Sequence, residues 1–156
     1  MTYPAEGTMA PDFTLDTDAG TPLTLSALRG RPVVLFFYPK DDTPGCTVES
    51  CEFRDLMPRF QGVKAEVLGV SPDDVKSHVK FRKKFDLPYS LLADVEHKVA
   101  EAYGVWQEKS MFAHKYMGNA RTTFVIDKDG RIAKVFEKVK PEGHAAAVAE
   151  IVAKLG

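Results

Sequence analysis

Residues 33–46 read VVLFFYPKDDTPGC, an apolar run that stops at a proline and leads through a polar loop to a cysteine. The continuous run at 33–38 predicts a strand that is buried on both faces of a sheet. A helix is expected to follow from about Pro44 or Gly45, since proline is favoured in a first helical turn. Cys46 would then lie in that first turn.

The segments on either side of this strand predict an α/β domain. Strands first alternate with helices and an antiparallel hairpin comes late, an order that gives a mixed sheet with helices on both faces. No repeat or composition break marks a linker, so residues 1–156 are predicted to form one domain. Further strands are predicted at 13–16, 23–25, 66–70, 90–93, 122–126 and 132–136, and helices at 44–60 with an interruption at Pro58, at 71–87, at 94–103 and at 143–155.

The helix after the second buried strand is predicted to begin within residues 71–74, SPDD. Ser71 is a suitable N-cap, Pro72 fits the first helical position, and the two aspartates suit the positive end of the helix. Four apolar side chains are expected to line this helix, namely those of Val75, Val79, Phe81 and Phe85.

Composition and charge exclude several classes of protein. The chain has 156 residues, 44% of them apolar and 28% charged, and a formal net charge of −1. This near-neutral balance argues against a nucleic-acid partner held by bulk electrostatics. No stretch approaches the roughly 20 apolar residues of a membrane span, and residues 1–7 lack the pattern of a signal peptide. A cytoplasmic protein is therefore expected, in a compartment where structural disulfides are rare.

Cys46 and Cys51 are the only cysteines. At a helix start, free N–H groups and the helix dipole stabilise an anion, and the thiolate is the reactive form of cysteine. Thr43 precedes Cys46 by three residues, so its hydroxyl could lie beside the sulfur. The alternatives are that Cys46 is an inert buried cysteine and that Cys51 only fills the buried side of the helix.

The spacing of the two cysteines sets a geometric condition. On one continuous helix, five residues separate the Cα atoms by about 8.6 Å and turn the side chains about 140° apart. A disulfide needs Cα atoms within about 7 Å. Either the Cys46–Cys51 bond never forms, or the first helical turns unwind to allow it. We therefore expect oxidation to be coupled to local unfolding around residues 44–51.

The pattern Pro39-x-x-x-Thr43-x-x-Cys46 resembles the active-site motif of the peroxiredoxins, and residues 46–55, CTVESCEFRD, resemble their Q-type or bacterioferritin-comigratory branch. The resemblance implies a thioredoxin-like fold with an N-terminal β-hairpin and an inserted segment. It also implies reduction of hydrogen peroxide and organic hydroperoxides. Similar segments occur along almost the whole chain, at 69–73 (GVSPD), 77–78 (SH), 91–94 (LLAD), 103–106 (YGVW) and 121–127 (RTTFVID).

The resemblance also implies roles for individual residues. Cys46 matches the peroxidatic cysteine, which becomes a sulfenic acid, and Cys51 matches the resolving cysteine, which closes an intramolecular disulfide. Thioredoxin or a similar dithiol protein would reduce that bond, with no cofactor or metal. Pro39, Thr43 and Arg121 match the residues that shape the peroxide pocket. Members of this branch are commonly monomers, so a monomer is expected.

Arg121 and Glu49 each have two interpretations from the residues alone. Arg121 opens a predicted strand that could pair beside the one ending at Pro39, where a guanidinium would stabilise the thiolate and hold peroxide oxygens. The alternative is a surface arginine paired with an acid. Glu49 either ties down Arg121 or the loop, or is simply solvated.

The remaining candidates are weaker. The four histidines show no metal-ligand spacing and are interpreted as surface or capping residues. The basic run at 80–84 is interpreted as a solvated helix face. Apolar residues at 111–112 and 116–117 fall in a predicted loop and are expected to pack in the core. The alternatives are that they cover the pocket mouth or contact the reductant. The histidines are His78, His97, His114 and His144.

Two other functions remain open at this level. A thiol–disulfide oxidoreductase would use the same fold, but that class has a Cys-x-x-Cys spacing rather than the four intervening residues found here. A non-enzymatic redox sensor would use the same oxidation once, as a switch. Sustained peroxide turnover distinguishes the peroxidase from both.

Overall fold

A seven-stranded mixed sheet organises the computed structural model, which describes residues 3–155. The strand order across this sheet is β2-β1-β5-β4-β3-β8-β9, and β6 and β7 form a separate hairpin. The strands are β1 (Thr14–Thr17), β2 (Pro22–Thr24), β3 (Val33–Phe37), β4 (Glu66–Ser71), β5 (Ser90–Ala93), β6 (Trp106–Met111), β7 (His114–Asn119), β8 (Thr122–Ile126) and β9 (Ile132–Phe136). The helices are α1 (Pro44–Asp55), α2 (Met57–Gly62), α3 (Val75–Phe85), α4 (Lys98–Ala102) and α5 (His144–Leu155), with a short 3-10 helix at Leu25–Leu28.

Strand β3 lies in the middle of the sheet, parallel to β4 and antiparallel to β8. All five of its residues are buried. Because side chains alternate along a strand, Val34 and Phe36 enter one core while Leu35 and Phe37 enter the other. Helices α1, α2, α3 and α5 contribute to the first core, and α4 contributes to the second. The predicted mixed sheet with helices on both faces is confirmed.

Aromatic stacking fixes the C-terminal half of α1 against the sheet. The rings of Phe36 and Phe53 lie 4.6 Å apart and are nearly parallel, and Phe53 also contacts Phe60 of α2 at 5.8 Å. Full burial of a phenylalanine side chain stabilises a fold by roughly 1.5–3 kcal/mol. The far end of α1 is thereby held in place, while its first turn faces the carboxyl end of β3.

The predicted strands and both hairpins are present, and so is the break at Pro58. Helix α1 ends at Asp55, and α2 begins at Met57 with Pro58 in its first turn. Two helix starts differ from prediction. Ser71 belongs to β4 and pairs with Ala93, so α3 begins later, with the Asp74 carboxylate accepting the Ser77 N–H at 2.8 Å.

Helix α4 is shorter than its pattern suggested. The Asp94 carboxylate accepts the N–H groups of Val99 and Ala100, and His97 adopts a left-handed conformation with φ 51°, so helical geometry begins only at Lys98. In α3, Val79 is 45% exposed, so its expected place lining the helix was wrong. Phe81 is buried, as predicted, and His78 is buried as well.

The hairpin of β6 and β7 replaces the loop that was predicted over this region. Its turn uses two left-handed residues, Phe112 with φ 52° and Ala113 with φ 63°. Phe112 is 97% exposed, and Tyr116 and Met117 are also exposed, so the expectation of core packing was wrong for these three. The side chain of Met111 lies outside the described part of the structure. Within residues 3–155, no helix has the length and apolar character needed to cross a membrane.

Candidate active site

Cys46 lies in the first turn of α1, at the carboxyl end of β3. Thr43 has extended backbone geometry just before the helix, and Pro44 is the first helical residue. The Cys46 side chain is only 1% exposed and joins the first core. The predicted strand–loop–helix setting is thus present, and the helix start faces the sulfur with the electrostatics that favour a thiolate.

Arg121 reaches Cys46 from the start of β8, the strand next to β3. It directly precedes β8, whose Thr122 pairs with Phe37 at the end of β3. Its Nη2 donates to Cys46 Sγ at 3.3 Å, and its Nη1 donates to Glu49 Oε1 at 2.7 Å. Burial alone would lower the pKa of Arg121, but Glu49 and Cys46 raise it above its usual value. A permanently charged guanidinium therefore contacts the sulfur.

A glycine gives Arg121 room to approach. A Cβ atom on Gly45 would lie 3.1 Å from Arg121 Nη2 and 3.4 Å from Pro141 Cγ. The first distance is shorter than ordinary van der Waals contact, so a side chain here would compete with the guanidinium for space. Gly45 thus permits the close approach between the helix start and Arg121.

Glu49 is buried one turn after Cys46, with 1% exposure, rather than solvated. Its Oε1 accepts from Arg121, while its Oε2 has no hydrogen-bond partner among the described residues. Burial raises the pKa of Glu49 to about 7, although Arg121 opposes the shift. Near neutral pH this carboxyl group is therefore divided between its protonated and ionised forms.

His144 closes the far side of this cluster. Its Nε2 lies 2.7 Å from Thr123 Oγ1 and 3.9 Å from Glu49 Oε2. Burial, helped by the nearby Arg121 charge, lowers the pKa of His144 to about 4, so the ring is neutral at pH 7. The surface interpretation of His144 was wrong. The sequence does carry a signal for this burial, because His144 is the first residue of α5 and lies on its apolar face.

Thr43 and Pro39 define the loop in front of the sulfur. The Thr43 hydroxyl donates to the backbone carbonyl of Lys40 at 2.9 Å and does not cap α1. A hydroxyl has one proton, so the Thr43 oxygen keeps its remaining capacity as an acceptor. Pro39 is half-buried and follows the last buried residue of the strand region, Tyr38.

Cys51 lies five residues after Cys46, about one and a half helical turns away, on the same regular α1. Both thiols are free, and Cys51 is partly exposed. Burial raises the pKa of Cys51, with Arg54 opposing the shift, so its protonated form is favoured at neutral pH. The continuous helix keeps the two cysteines too far apart to bond. The structure is thus that of the dithiol form.

Lys109 of β6 is a second cation near the site that the sequence did not suggest. Its Nζ donates to the backbone carbonyl of Asn119 at 2.9 Å, and the Asn119 side chain donates to the carbonyl of Tyr38 at 3.2 Å. Burial and the charge of Arg121 lower the pKa of Lys109, while Cys46 opposes this. The β6–β7 hairpin is thereby attached to the loop that carries the active-site residues.

His78 is also buried, contrary to its surface interpretation, and lies near Asp41 and Asp73. Potential metal-binding atoms of these three side chains lie within 4.8 Å of one another. Protein groups already use them: His78 Nδ1 lies 2.7 Å from Asp41 Oδ2, and Asp73 Oδ2 accepts the Asp41 N–H at 2.8 Å. The cluster is a hydrogen-bonded network behind the loop at 39–43.

Comparison with known proteins places these residues in context. Residues 7–135 match the model of the AhpC/TSA family. The chain is 50% identical over 149 residues to a putative peroxiredoxin Bcp of Coxiella burnetii, covering 96% of this chain and 97% of that protein. It is also 50% identical over 140 residues to peroxiredoxin Bcp of Bacillus subtilis, covering 90% and 89% of the two chains.

Solved structures give the same result for the fold. A structure of the bacterioferritin comigratory protein of Xanthomonas campestris, from work on its alkyl peroxide reduction activity, matches with a TM-score of 0.90 at 36% identity, covering 96% of this chain and 98% of that one. The BcpB protein of Mycobacterium tuberculosis matches with a TM-score of 0.86 at 38% identity, covering 97% of each chain. The thioredoxin-like fold expected from the sequence is confirmed.

Proposed function

Since the chain belongs to the AhpC/TSA family and is a peroxiredoxin, a thiol-dependent peroxidase of the Bcp/Q branch, we propose that Cys46 is the thiol that attacks the peroxide. The observation that carries this assignment is the contact between Arg121 Nη2 and Cys46 Sγ at 3.3 Å. A guanidinium beside sulfur at a helix start favours the thiolate, which is the nucleophile.

In the first step, the Cys46 thiolate attacks the nearer oxygen of the peroxide. An S–O bond forms, the O–O bond breaks, and the leaving hydroxide or alkoxide takes up a proton to become water or an alcohol. Sulfur is oxidised to the sulfenic acid while the peroxide is reduced. Arg121 stabilises the negative charge that moves from sulfur to the leaving oxygen, and the Thr43 oxygen accepts the O–H of the peroxide. Pro39 fixes the loop and leaves no competing N–H.

In the second step, the Cys51 thiol attacks the sulfenic sulfur, a disulfide forms, and water leaves. This step requires α1 to unwind around residues 44–51, because the regular helix holds the cysteines apart. A dithiol protein such as thioredoxin then returns two electrons and two protons and restores both thiols. Glu49 holds Arg121 in position during the first step.

The proposed substrates are hydrogen peroxide and organic hydroperoxides. The relative from Xanthomonas campestris, which is described by its alkyl peroxide reduction activity, supports the second class. We also propose a monomer working in the cytoplasm. One chain supplies Cys46, Cys51, Thr43 and Arg121, and a pair of cysteines that cycles between dithiol and disulfide suits a reducing compartment, where permanent disulfides are rare.

Mass spectrometry after one equivalent of hydrogen peroxide tests these roles. We expect a Cys46–Cys51 disulfide in the wild type and a Cys46 sulfenic acid in Cys51→Ser. Oxidation first at Cys51, or a stable sulfenic acid in the wild type, would contradict the assignment. Repeated peroxide turnover with thioredoxin, thioredoxin reductase and NADPH tests the reductant, and light scattering of the reduced protein tests the monomer.

A further inference from the structure

A buried polar network lies behind the loop at 39–43, and the peroxidase mechanism does not use it. At its centre is the Asp41 carboxylate, whose side chain is 3% exposed. It accepts three hydrogen bonds: from the Tyr38 hydroxyl at 2.5 Å, from the Ser77 hydroxyl at 2.8 Å and from His78 Nδ1 at 2.7 Å. The network joins the active-site loop to the start of α3.

The protonation of His78 follows from its partners. Its Nε2 lies 2.9 Å from the carbonyl oxygen of Leu92, which can only accept, so Nε2 carries a proton. If the ring were neutral, Nδ1 would then carry a lone pair facing the Asp41 carboxylate. The 2.7 Å contact between Nδ1 and Asp41 Oδ2 requires a proton between them, so Nδ1 is protonated too. Burial alone would lower the pKa of His78, but the Asp41 carboxylate raises it above the usual value. His78 and Asp41 thus form a buried ion pair.

The network also fixes one peptide group of the active-site loop. The N–H of Asp41 donates to Asp73 Oδ2 at 2.8 Å. The carbonyl of the same peptide unit, that of Lys40, accepts the Thr43 hydroxyl at 2.9 Å. A peptide group is planar, so its N–H and its C=O cannot turn independently. Asp73 is itself held by the Ser71 hydroxyl at 2.6 Å.

This arrangement sets the direction of the Thr43 proton. With the Lys40 carbonyl held toward Thr43, the single hydroxyl proton is committed to that carbonyl. If the peptide turned away, the hydroxyl proton would be free for another acceptor, such as the thiolate of Cys46 in the first turn of the helix that follows Thr43. The Thr43 oxygen would then no longer be directed to accept the peroxide O–H.

We propose that Asp73 is a positioning residue for peroxide: by holding the Lys40–Asp41 peptide, it directs the Thr43 proton away from sulfur and leaves the Thr43 oxygen to accept the peroxide O–H. The contact between the Asp41 carboxylate and His78 fixes the side chain of the residue that carries this N–H. The inference rests on the proposed role of Cys46, since it concerns the peroxide that Cys46 attacks.

The test compares two reactions of Cys46 in a Cys51→Ser background. Oxidation by hydrogen peroxide needs the Thr43 acceptor, whereas alkylation by iodoacetamide does not. We expect Asp73→Ala to slow oxidation by about 10- to 100-fold, the range that misplacement of a reacting group produces, and to change alkylation less than about threefold. Asp73→Asn should restore most of the rate, because its amide oxygen can accept the Asp41 N–H.

A matched control is available next in the chain. Asp74→Asn removes the same charge and keeps a good helix cap, but Asp74 contacts only the N-terminus of α3. Its oxidation rate should match that of the parent. A loss as large as that in Asp73→Ala would overturn the proposal, because charge alone would then explain the effect.

A double-mutant cycle tests whether Asp73 acts through Thr43. In a Thr43→Val background the proposed acceptor is already absent, so adding Asp73→Ala should change oxidation less than about threefold. Additive losses, or equal losses of oxidation and alkylation, would overturn the proposal. Circular dichroism checks folding of each variant. If Asp73→Ala does not fold, Ser71→Ala removes the support of Asp73 and should give a smaller loss confined to oxidation; no such loss would overturn the proposal.

Failure of this inference can be told apart from failure of the proposed function. If peroxide does not oxidise Cys46 in the parent protein, the proposed function fails, whatever the Asp73 variants show. If Cys46 is oxidised at the same rate in the parent and in Asp73→Ala, only the positioning role fails.

Discussion

The hydroxyl of Tyr89 donates a 2.7 Å hydrogen bond to the backbone carbonyl of Ser50, in the helix that carries both cysteines. The bond is buried and ties α1 to a residue just before β5. It holds the helix directly in front of Cys51, where unwinding is required for the disulfide. In the proposed cycle, the contact would therefore stabilise the dithiol form relative to the disulfide form.

Removing this bond should speed disulfide formation. Tyr89→Phe keeps the ring that packs on Phe36 and removes only the hydroxyl. A buried hydrogen bond contributes about 1 kcal/mol, which corresponds to roughly fivefold in an equilibrium. We expect the Cys46 sulfenic acid to convert to the disulfide up to about fivefold faster. Quenched-flow mass spectrometry measures this rate. Tyr103→Phe is the control, since that hydroxyl donates to Pro11 in the other core. An equal effect in both variants would contradict the prediction.

Arg121 should not be replaceable by lysine. One guanidinium contacts Cys46 and Glu49 through two different nitrogens, a geometry that an ammonium group cannot reproduce. We expect Arg121→Lys to lower the second-order rate constant for hydrogen peroxide by about 100- to 1,000-fold, the range found when one preorganised donor is removed from an active site. Alkylation of Cys46 at fixed pH should fall as well.

Arg82→Lys provides the control for this substitution. Arg82 also makes several hydrogen bonds, to Asp18 and to the carbonyl of Leu87, but it lies away from the cysteines. The Arg82→Lys variant should react with peroxide at the same rate as the wild type. A fully active Arg121→Lys enzyme would show that charge without directed hydrogen bonds is sufficient.

The buried Glu49 should make stability fall as pH rises. Its pKa is raised to about 7 in the folded protein, above its ordinary value of 4.5. Its contribution to stability is thus complete below pH 4.5 and is lost as pH rises through about 7. The full loss is about 3 kcal/mol. Urea unfolding at several pH values should show that the free energy of unfolding of the wild type, relative to that of Glu49→Gln, falls as pH rises through about 7. A constant difference between pH 4.5 and 8 would contradict it.

The pKa shift of His144 changes stability in the opposite direction, over an overlapping pH range. Its pKa is lowered from 6.5 to about 4 by burial and by Arg121, so its contribution to stability is present above pH 6.5 and is lost as pH falls toward 4. In the wild type the two effects partly cancel between about pH 4.5 and 6.5. We therefore expect Glu49→Gln to gain stability with rising pH in this range, and a His144→Gln variant to lose it.

A methyl group at Gly45 should disturb the site without harming the fold. Its Cβ would lie 3.1 Å from Arg121 Nη2, so the guanidinium must shift. Alanine is otherwise the better helix former by about 1 kcal/mol. We expect Gly45→Ala to reduce the peroxide rate by about tenfold or more, on the scale of a misplaced active-site group, with little change in the urea midpoint. Gly62→Ala, where a Cβ meets nothing within 4 Å, should leave the rate unchanged.

Local patterns predicted most of the fold because the elements that form the cores have strong periodicity. The run at 33–38 and the break at Pro58 are decided by neighbours in sequence. The hairpin at Trp106–Asn119 was missed for the opposite reason: its strands are largely polar and its turn has neither glycine nor asparagine. At residues 71–74 several side chains suit a helix cap, and only the pairing of Ser71 with Ala93 decides between them.

Site residues could be predicted where a sequence motif includes them. They could not be predicted where only folding brings distant parts of the chain together. Cys46 and Thr43 are close in sequence, whereas Arg121 was singled out by its family motif. His78 and His144 were misplaced because their partners lie far away in the chain: Asp41 is 37 residues from His78, and Thr123 is 21 residues from His144. A histidine without visible partners is placed at the surface by default, and long-range pairing overrides that default.

The stacking of Phe53 on Phe36 has a thermodynamic consequence for the redox cycle. Unwinding at residues 44–51 can proceed without separating these rings, so the large apolar surfaces stay out of water in both redox states. The heat-capacity change of unfolding follows the apolar area that becomes exposed. Calorimetry should therefore give nearly equal heat-capacity changes for the dithiol and disulfide proteins, even if their melting temperatures differ. A large decrease on oxidation would mean that the cycle opens the core as well as the helix.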